Sequence, residues 1–241
     1  MDIHKPKPWH GVRELLKEIG TIVIGVLIAL AAEQGVEWLH WHERAAQAEA
    51  GMRQDAKEVL ANMLERLEIQ DCQDRRLNQM RDRLLVSGQD WTPMAVFYTH
   101  GPPKGSIYAH PMKPWPRTAW LNAVASGAAT HLSDEKLKHF SMLFAAAERE
   151  VNDQTVEHEA SSELNVLGLP LKLTPDNKVS LLRAIAAERA RNRVMGYEAH
   201  NSLPDFTALG FDVEKARVAS RRSSLSYAVC VESGLAAAAP N

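Results

Sequence analysis

An all-α protein, with one membrane-spanning helix ahead of a helical bundle, is predicted by three observations. An uncharged apolar run, Ile19 to Ala32, follows a basic leader. Beyond it, apolar residues recur at three- and four-residue spacing through most of the chain, the period of a helix with one buried face. The alternating pattern of half-buried strands is absent. The expected organisation is a cytoplasmic leader at 1–14, a transmembrane helix at 15–39 and an exterior helical domain at 40–241, interrupted by a Pro- and aromatic-rich loop at 87–116.

The first element turns on that apolar run. Its 14 residues, taken alone, are short for a membrane and would suit a core helix. However, Ile19, Ile22, Val23, Ile24, Val26, Leu27, Ile28 and Leu30 cover every face, which suits lipid or a very large core. A cleaved signal peptide is the second reading: Lys5, Lys7, Arg13 and Lys17 precede the run, and Ala29-Leu30-Ala31 has the small-x-small form of a cleavage site. Against it, the leader holds Glu14 and Glu18, and no helix breaker follows the run. The anchor reading extends the span to 15–39, about 37 Å of helix against a hydrocarbon core of about 30 Å. Trp9, Lys17, Trp38 and Trp41 then take interface positions, and this reading accounts for most of the pattern.

Direction follows from charge. Residues 1–18 carry four Lys or Arg residues, and residues 33–50 carry only Arg44, beside Glu33, Glu37, Glu43 and Glu49. The positive-inside bias predicts a cytoplasmic N-terminus and, in a two-membrane bacterium, a periplasmic C-terminal domain anchored in the inner membrane. Thr21, Gly25 and Ala29 make one face small, the kind that lets a second helix, from a partner or another copy, approach closely.

The later elements follow in order. Residues 43–86 contain no proline, and Leu60, Met63, Leu64, Leu67, Leu77, Met80, Leu84 and Leu85 give a broken helical stripe. The charges between them (Arg66, Glu68, Asp74, Arg75, Arg76, Arg81, Asp82 and Arg83) read as solvated faces. The loop at 87–116 carries Pro93, Pro102, Pro103, Pro111, Pro114 and Pro116 with Trp91, Phe97, Tyr98, Tyr108 and Trp115. It is too aromatic for plain disorder and is expected to wrap the bundle. A short helix spans 116–129, ended near Gly127. Ser133 caps the next, with Leu137, Phe140, Leu143, Phe144, Ala147, Val151 and Val156 on one face, up to about Leu164. Thr174-Pro175-Asp176 starts another that reaches His200 before Pro204. A last helix spans 212–231, and the tail after it looks frayed.

Function classes are bounded by what the chain carries. A net charge of -2 gives no basic field for nucleic acid. No P-loop, Rossmann glycine pattern or Gly-x-Ser-x-Gly is present, and no cofactor signature. His40 and His42 stand on opposite sides of a helix. His158-Glu159 starts a zinc-protease motif that fails at Ser162. His100 and His110 share the loop. Glu157, Glu159 and Glu163 suit an ordinary helix face. Arg189, Arg191 and Arg193, then Arg217, Arg221 and Arg222, read as solvated clusters or as contacts for an anionic partner. In an oxidising compartment Cys72 and Cys230 can pair, since the first and last helices of an up-down bundle are often neighbours, but two buried thiols fit the spacing as well.

Two stretches resemble a group of bacterial single-span envelope proteins of unknown function. The first is Glu18-Ile19, then Ile24-Gly25-Val26-Leu27-Ile28-Ala29-Leu30, Glu33 and Trp38; the second is Arg117 to Leu137. The resemblance implies an anchor and an exterior domain, and no reaction. The expected function is therefore a non-catalytic membrane protein whose span and exterior domain bind the bilayer and protein partners, as an accessory or scaffold subunit. A ligand-binding or sensory module, or a secreted protein, is the alternative.

Overall fold

The computed structural model describes residues 11–97, 106–108 and 110–235. Trp9, Lys5, Lys7, His100 and the tail beyond Leu235 lie outside the described residues. The chain divides into two units, Met1–Gln47 and Ala48–Asn241. The fold is all-α, 81% helical.

The first helix, α1 (Val12–Val86), is continuous. It carries the apolar run within the first unit, and nothing between Glu43 and Val86 supplies a proline or a cap to stop it. The second unit adds α2 (Thr118–Ala125), α3 (Asp134–Leu164), α4 (Pro175–Ala208), α5 (Val213–Ser223) and α6 (Leu225–Glu232). Ser133 caps α3 and Thr174 caps α4, each accepting a backbone N–H from three residues on. Gly127, at φ 78°, supplies the left-handed residue that turns the chain after α2.

Two apolar clusters give the helix directions. One contains Met52, Val59 and Met63 of α1, Phe140 and Phe144 of α3, and Ala199 and Phe206 of α4. The other contains Leu77, Met80 and Leu84 of α1, Leu164 at the end of α3, and Leu181 and Ile185 of α4. Sequence number rises from the first cluster to the second along α1 and α3 and falls along α4. So α1 and α3 run the same way and α4 runs against them. This corrects a simple up-down order. Two helices that run the same way need a long return between them. The segment after α1 provides it: Trp91, Met94, Ile107 and Tyr108 sit in the second cluster and Trp115 in the first. Its described residues thus pass from the second cluster to the first, the crossing that the topology requires.

Four smaller expectations change. The helix predicted at 116–129 is only α2, followed by a 3-10 turn at Ala128–His131. A two-residue antiparallel ladder pairs β1 (Asp90–Trp91) with β2 (Leu171–Lys172), where the crossover passes the α3–α4 connection. α4 passes through Pro204 to Ala208 instead of stopping at His200, and gives up one ladder bond to do so. The last helix is two helices. Ser224, extended at φ -79° and ψ 115°, separates them, accepts the Tyr227 N–H and donates its hydroxyl to Glu65 at 2.7 Å.

Cys72 of α1 and Cys230 of α6 are joined in a disulfide with Cα atoms 5.9 Å apart. Ile69, Phe97 and Val229 pack around it, and Arg75 Nε donates to the Leu235 carbonyl at 2.8 Å. The bridge closes a separation of 158 residues, which the chain-entropy account values at about 5 kcal/mol. Reduction, or Cys72→Ser with Cys230→Ser, should lower the melting temperature markedly. A melt with and without reductant checks this, with α6 amides losing hydrogen-exchange protection first.

Candidate functional site

Two features stand out, one in each unit. In the first, Ile22, Ile24, Leu27 and Ile28 are all more than half exposed, and none of the 18-residue apolar window is buried. Thr21, Gly25 and Ala29 lie exposed on the same helix, with the Thr21 hydroxyl donating to the Lys17 carbonyl at 2.9 Å, and Lys17 is exposed too. Further along, Trp38 stacks on His42 at 5.3 Å, Trp41 meets His40 edge-on, and the Arg44 guanidinium sits 5.5 Å from the Trp41 ring. Of these, the Arg44–Trp41 contact is a cation–π pair, and the Trp–His contacts are pairs of rings that each combine an apolar body with a polar edge. Among the described residues no three His, Cys, Asp or Glu side chains converge for a metal ion.

In the second unit a charged layer separates the two apolar clusters. α1 contributes Arg66, Gln73 and Arg76, α3 contributes Glu150, Glu157 and Ser161, and α4 contributes Glu188 and Asn192, all buried. Arg66 grips Glu157 with two bonds, Nη1 to Oε1 at 2.7 Å and Nη2 to Oε2 at 2.5 Å. His110 of the crossover brings Nδ1 within 2.9 Å of Glu157 Oε2. Burial pushes the Glu157 carboxyl up, but Arg66 and His110 outweigh it and hold it below its ordinary value. Glu150 and Glu188 lack such partners: neither oxygen of Glu150 has a hydrogen-bond partner, and Glu188 has the neutral Tyr108 hydroxyl beside it in place of an arginine fork. Burial pushes both carboxyls up to about 8. Tyr108, fully buried with its hydroxyl beside the Glu188 carboxyl, is pushed well above its ordinary value by burial and then by Glu188 and Glu157.

The same layer fastens the crossover. Arg76 donates Nε to the Ile107 carbonyl at 2.8 Å and Nη2 to the Ala95 carbonyl at 2.6 Å, and Arg66 Nη2 reaches the Pro111 carbonyl at 3.2 Å. Asn165 Oδ1 accepts the Ile107 N–H, and Gln154 bonds both the N–H and the carbonyl of Lys113. α4 comes close on the other side: a Cβ added at Gly196 would lie 2.4 Å from Gln70 Oε1.

Beside the layer lies a cavity of about 370 Å³, walled by His110, Lys113, His158, Ser161, Ser162 and Asn165, with Glu65, Tyr108 and Ser226 among the others. Most of its polar groups are already engaged. Lys113 pairs with Glu65 at 3.0 Å, and the Ser161 and Ser162 hydroxyls both donate to the His158 carbonyl. His158 meets His110 edge-on with ring centres 5.8 Å apart.

Several sequence expectations are corrected here. Arg66 and Arg76 are buried, not solvated, because each takes bonds no water could supply at that depth. Glu157 is the fully buried partner of Arg66, not a surface carboxylate. The two arginine clusters are largely spent within the chain: Arg191 pairs with Asp153, and Arg217 and Arg221 both hold Glu68. The layer did leave a signal. Arg66 follows Met63, Glu150 follows Ala147 and Glu188 follows Ile185, each three residues on, so the polar residues continue the buried stripes in register.

No protein-family model, curated protein or solved structure matches the chain.

Removing one member of the buried pair leaves the other charge uncompensated. Arg66→Met should destabilise the domain by about 3–5 kcal/mol, and Arg66→Met with Glu157→Met should recover much of that loss. Urea unfolding of the single and double variants checks the cycle.

Proposed function

We propose that the chain is a non-catalytic single-pass protein of a bacterial inner membrane, with its N-terminus in the cytoplasm and its helical domain in the periplasm. Its role is to bind other proteins, as an accessory or scaffold subunit of a membrane complex. The observation that carries this reading is the exposed apolar run. Eight large aliphatic side chains from Ile19 to Leu30 are each about half exposed or more. At roughly 1.5–3 kcal/mol for each such side chain if fully buried, leaving them in water forfeits on the order of 10 kcal/mol, comparable with the whole stability of a domain. In lipid the same surface is solvated. The resemblance of residues 18–38 and 117–137 to single-span envelope proteins supports the same reading.

Two further observations support the direction. Lys5, Lys7, Arg13 and Lys17 stand at or before the start of the span, against Arg44 alone in residues 33–50. The Cys72–Cys230 disulfide suits an oxidising compartment for the domain. A second reading, a ligand-binding or sensory module, draws on the cavity beside His110 and His158, whose size suits a small molecule. It ranks below the first because Lys113, Ser161 and Ser162 already spend their polar atoms within the chain.

The protein should remain with membranes after an alkaline carbonate wash, and a reporter that works only outside the cytoplasm should be active when fused after Asn241. Release as a soluble form starting near Ala32 would establish the cleaved-signal reading instead. For partner binding through the span, Gly25→Leu should weaken self-association or partner capture in a membrane two-hybrid assay, since a Cβ there meets nothing in the chain itself and its bulk would hold a second helix away. Unchanged association would remove Thr21, Gly25 and Ala29 from the contact.

A further inference from the structure

We propose that Glu150 and Glu188 make the charged layer a proton-operated switch: α3 and α4 pack tightly against α1 while both carboxyls hold a proton, and the packing loosens when they release it. The geometry is a shortage of cations. Three carboxyls, Glu150, Glu157 and Glu188, are each 0% exposed. One guanidinium, Arg66 of α1, faces all three, and both of its Nη atoms are committed to Glu157. Both oxygens of Glu150 are left without a hydrogen-bond partner, and Glu188 has the neutral Tyr108 hydroxyl beside it in place of a cation.

The other groups facing them do not relieve this. Glu150 looks onto Asp153 and Glu157 of α3 and Glu198 of α4, all acidic. Glu198 is held by Arg149. Glu188 looks onto Tyr108 of the crossover, Glu157 of α3 and Arg191 of its own helix, and Arg191 is paired with Asp153. His110 approaches the layer only at Glu157. Ionising either carboxyl therefore buries a second negative charge beside Glu157, where Arg66 is already committed to Glu157 and Arg191 to Asp153. Water must enter or the helices must part.

The direction with pH follows. In the unfolded chain both carboxyls ionise at about 4.5, and in the packed bundle at about 8. Below the first value both states are protonated and packing is at its firmest. Between the two, opening releases protons, so rising pH favours it. Above about 8 the packed bundle is itself ionised and the dependence levels off. Near neutral pH the layer stands within about one unit of release, so a modest change in the surroundings moves it. Glu157 does not act in this window, since its carboxyl stays ionised well below it.

Hydrogen exchange on the full chain in detergent micelles tests this, with rates corrected for intrinsic base catalysis. Protection of amides in α3 and α4 should fall by up to about a hundredfold per pH unit from about pH 6 toward 8, because opening releases two protons, and level off above. Glu150→Gln or Glu188→Gln alone should reduce the slope to about tenfold per unit, and the double variant should abolish it. An unchanged slope in the double variant, or a flat profile in the natural chain, overturns the proposal. Should the double variant fail to fold, infrared spectra of the natural chain decide. The carbonyl band of protonated carboxylic acids should be present at about pH 6 and lost by about pH 9.5. Its absence at the lower pH, or its persistence at the higher, overturns the proposal equally.

Discussion

The bidentate contact between Arg66 and Glu157 is the constraint on which the rest of the bundle depends. It joins α1 to α3 across 91 residues of sequence, at 0–2% side-chain exposure. A buried ion pair does not of itself make a protein more stable than well-packed apolar residues would, because desolvation offsets the attraction. What it does supply is position. An arginine fork and a carboxylate satisfy each other at one relative placement of the two backbones, and any slip of α1 along α3 leaves two charges buried and unpaired. The apolar clusters on either side can tolerate small shifts, and the pair cannot.

Fixing α1 beside α3 in the same direction creates the next requirement, a long return between them. A segment crossing the bundle buries backbone carbonyls, and these need donors. Arg66 and Arg76 meet that need at Pro111, Ile107 and Ala95, while Asn62 donates to the Pro114 carbonyl. The aromatic residues supply the apolar cover, with the Trp91 indole N–H satisfied by the Leu167 carbonyl at 2.8 Å. Arg66 thus neutralises a carboxylate, and both arginines hold down carbonyls of the crossing segment. Phe97 and the Cys72–Cys230 bridge close the neighbouring side, where α6 lies on α1.

The two units invert the usual distribution of polarity in opposite ways. Residues 19–30 present apolar side chains outward on every face. The bundle, at its middle, turns polar side chains inward. Both arrangements are unstable in plain water unless something outside the ordinary hydrophobic account compensates: a lipid solvent for the first, and paired charges or bound protons for the second. Glu150 and Glu188 belong to the second kind, which is why their carboxyls hold their protons to about 8.

Local chemistry was enough to read the helices from the sequence. Ser133 and Thr174-Pro175 mark the starts of α3 and α4, the three- and four-residue spacing marks their buried faces, and the uncharged run from Ile19 to Ala32 marks a helix apolar all round. Each of these signals comes from residues within a turn or two of one another. The charged layer was not readable in that way. Arg66 and Glu157 sit in register with the apolar stripes, yet a charged residue on a helix is normally solvated, and only its partner offsets the cost of burial. Those partners come from other helices, as do the direction of α3 and the choice between a bridge and two free thiols at Cys72 and Cys230. The sequence by itself determined where helices form and which faces are apolar, because both are set by near neighbours. The tertiary structure decided which charges are buried and what they meet, because desolvation and pairing depend on distances that only the packed chain defines.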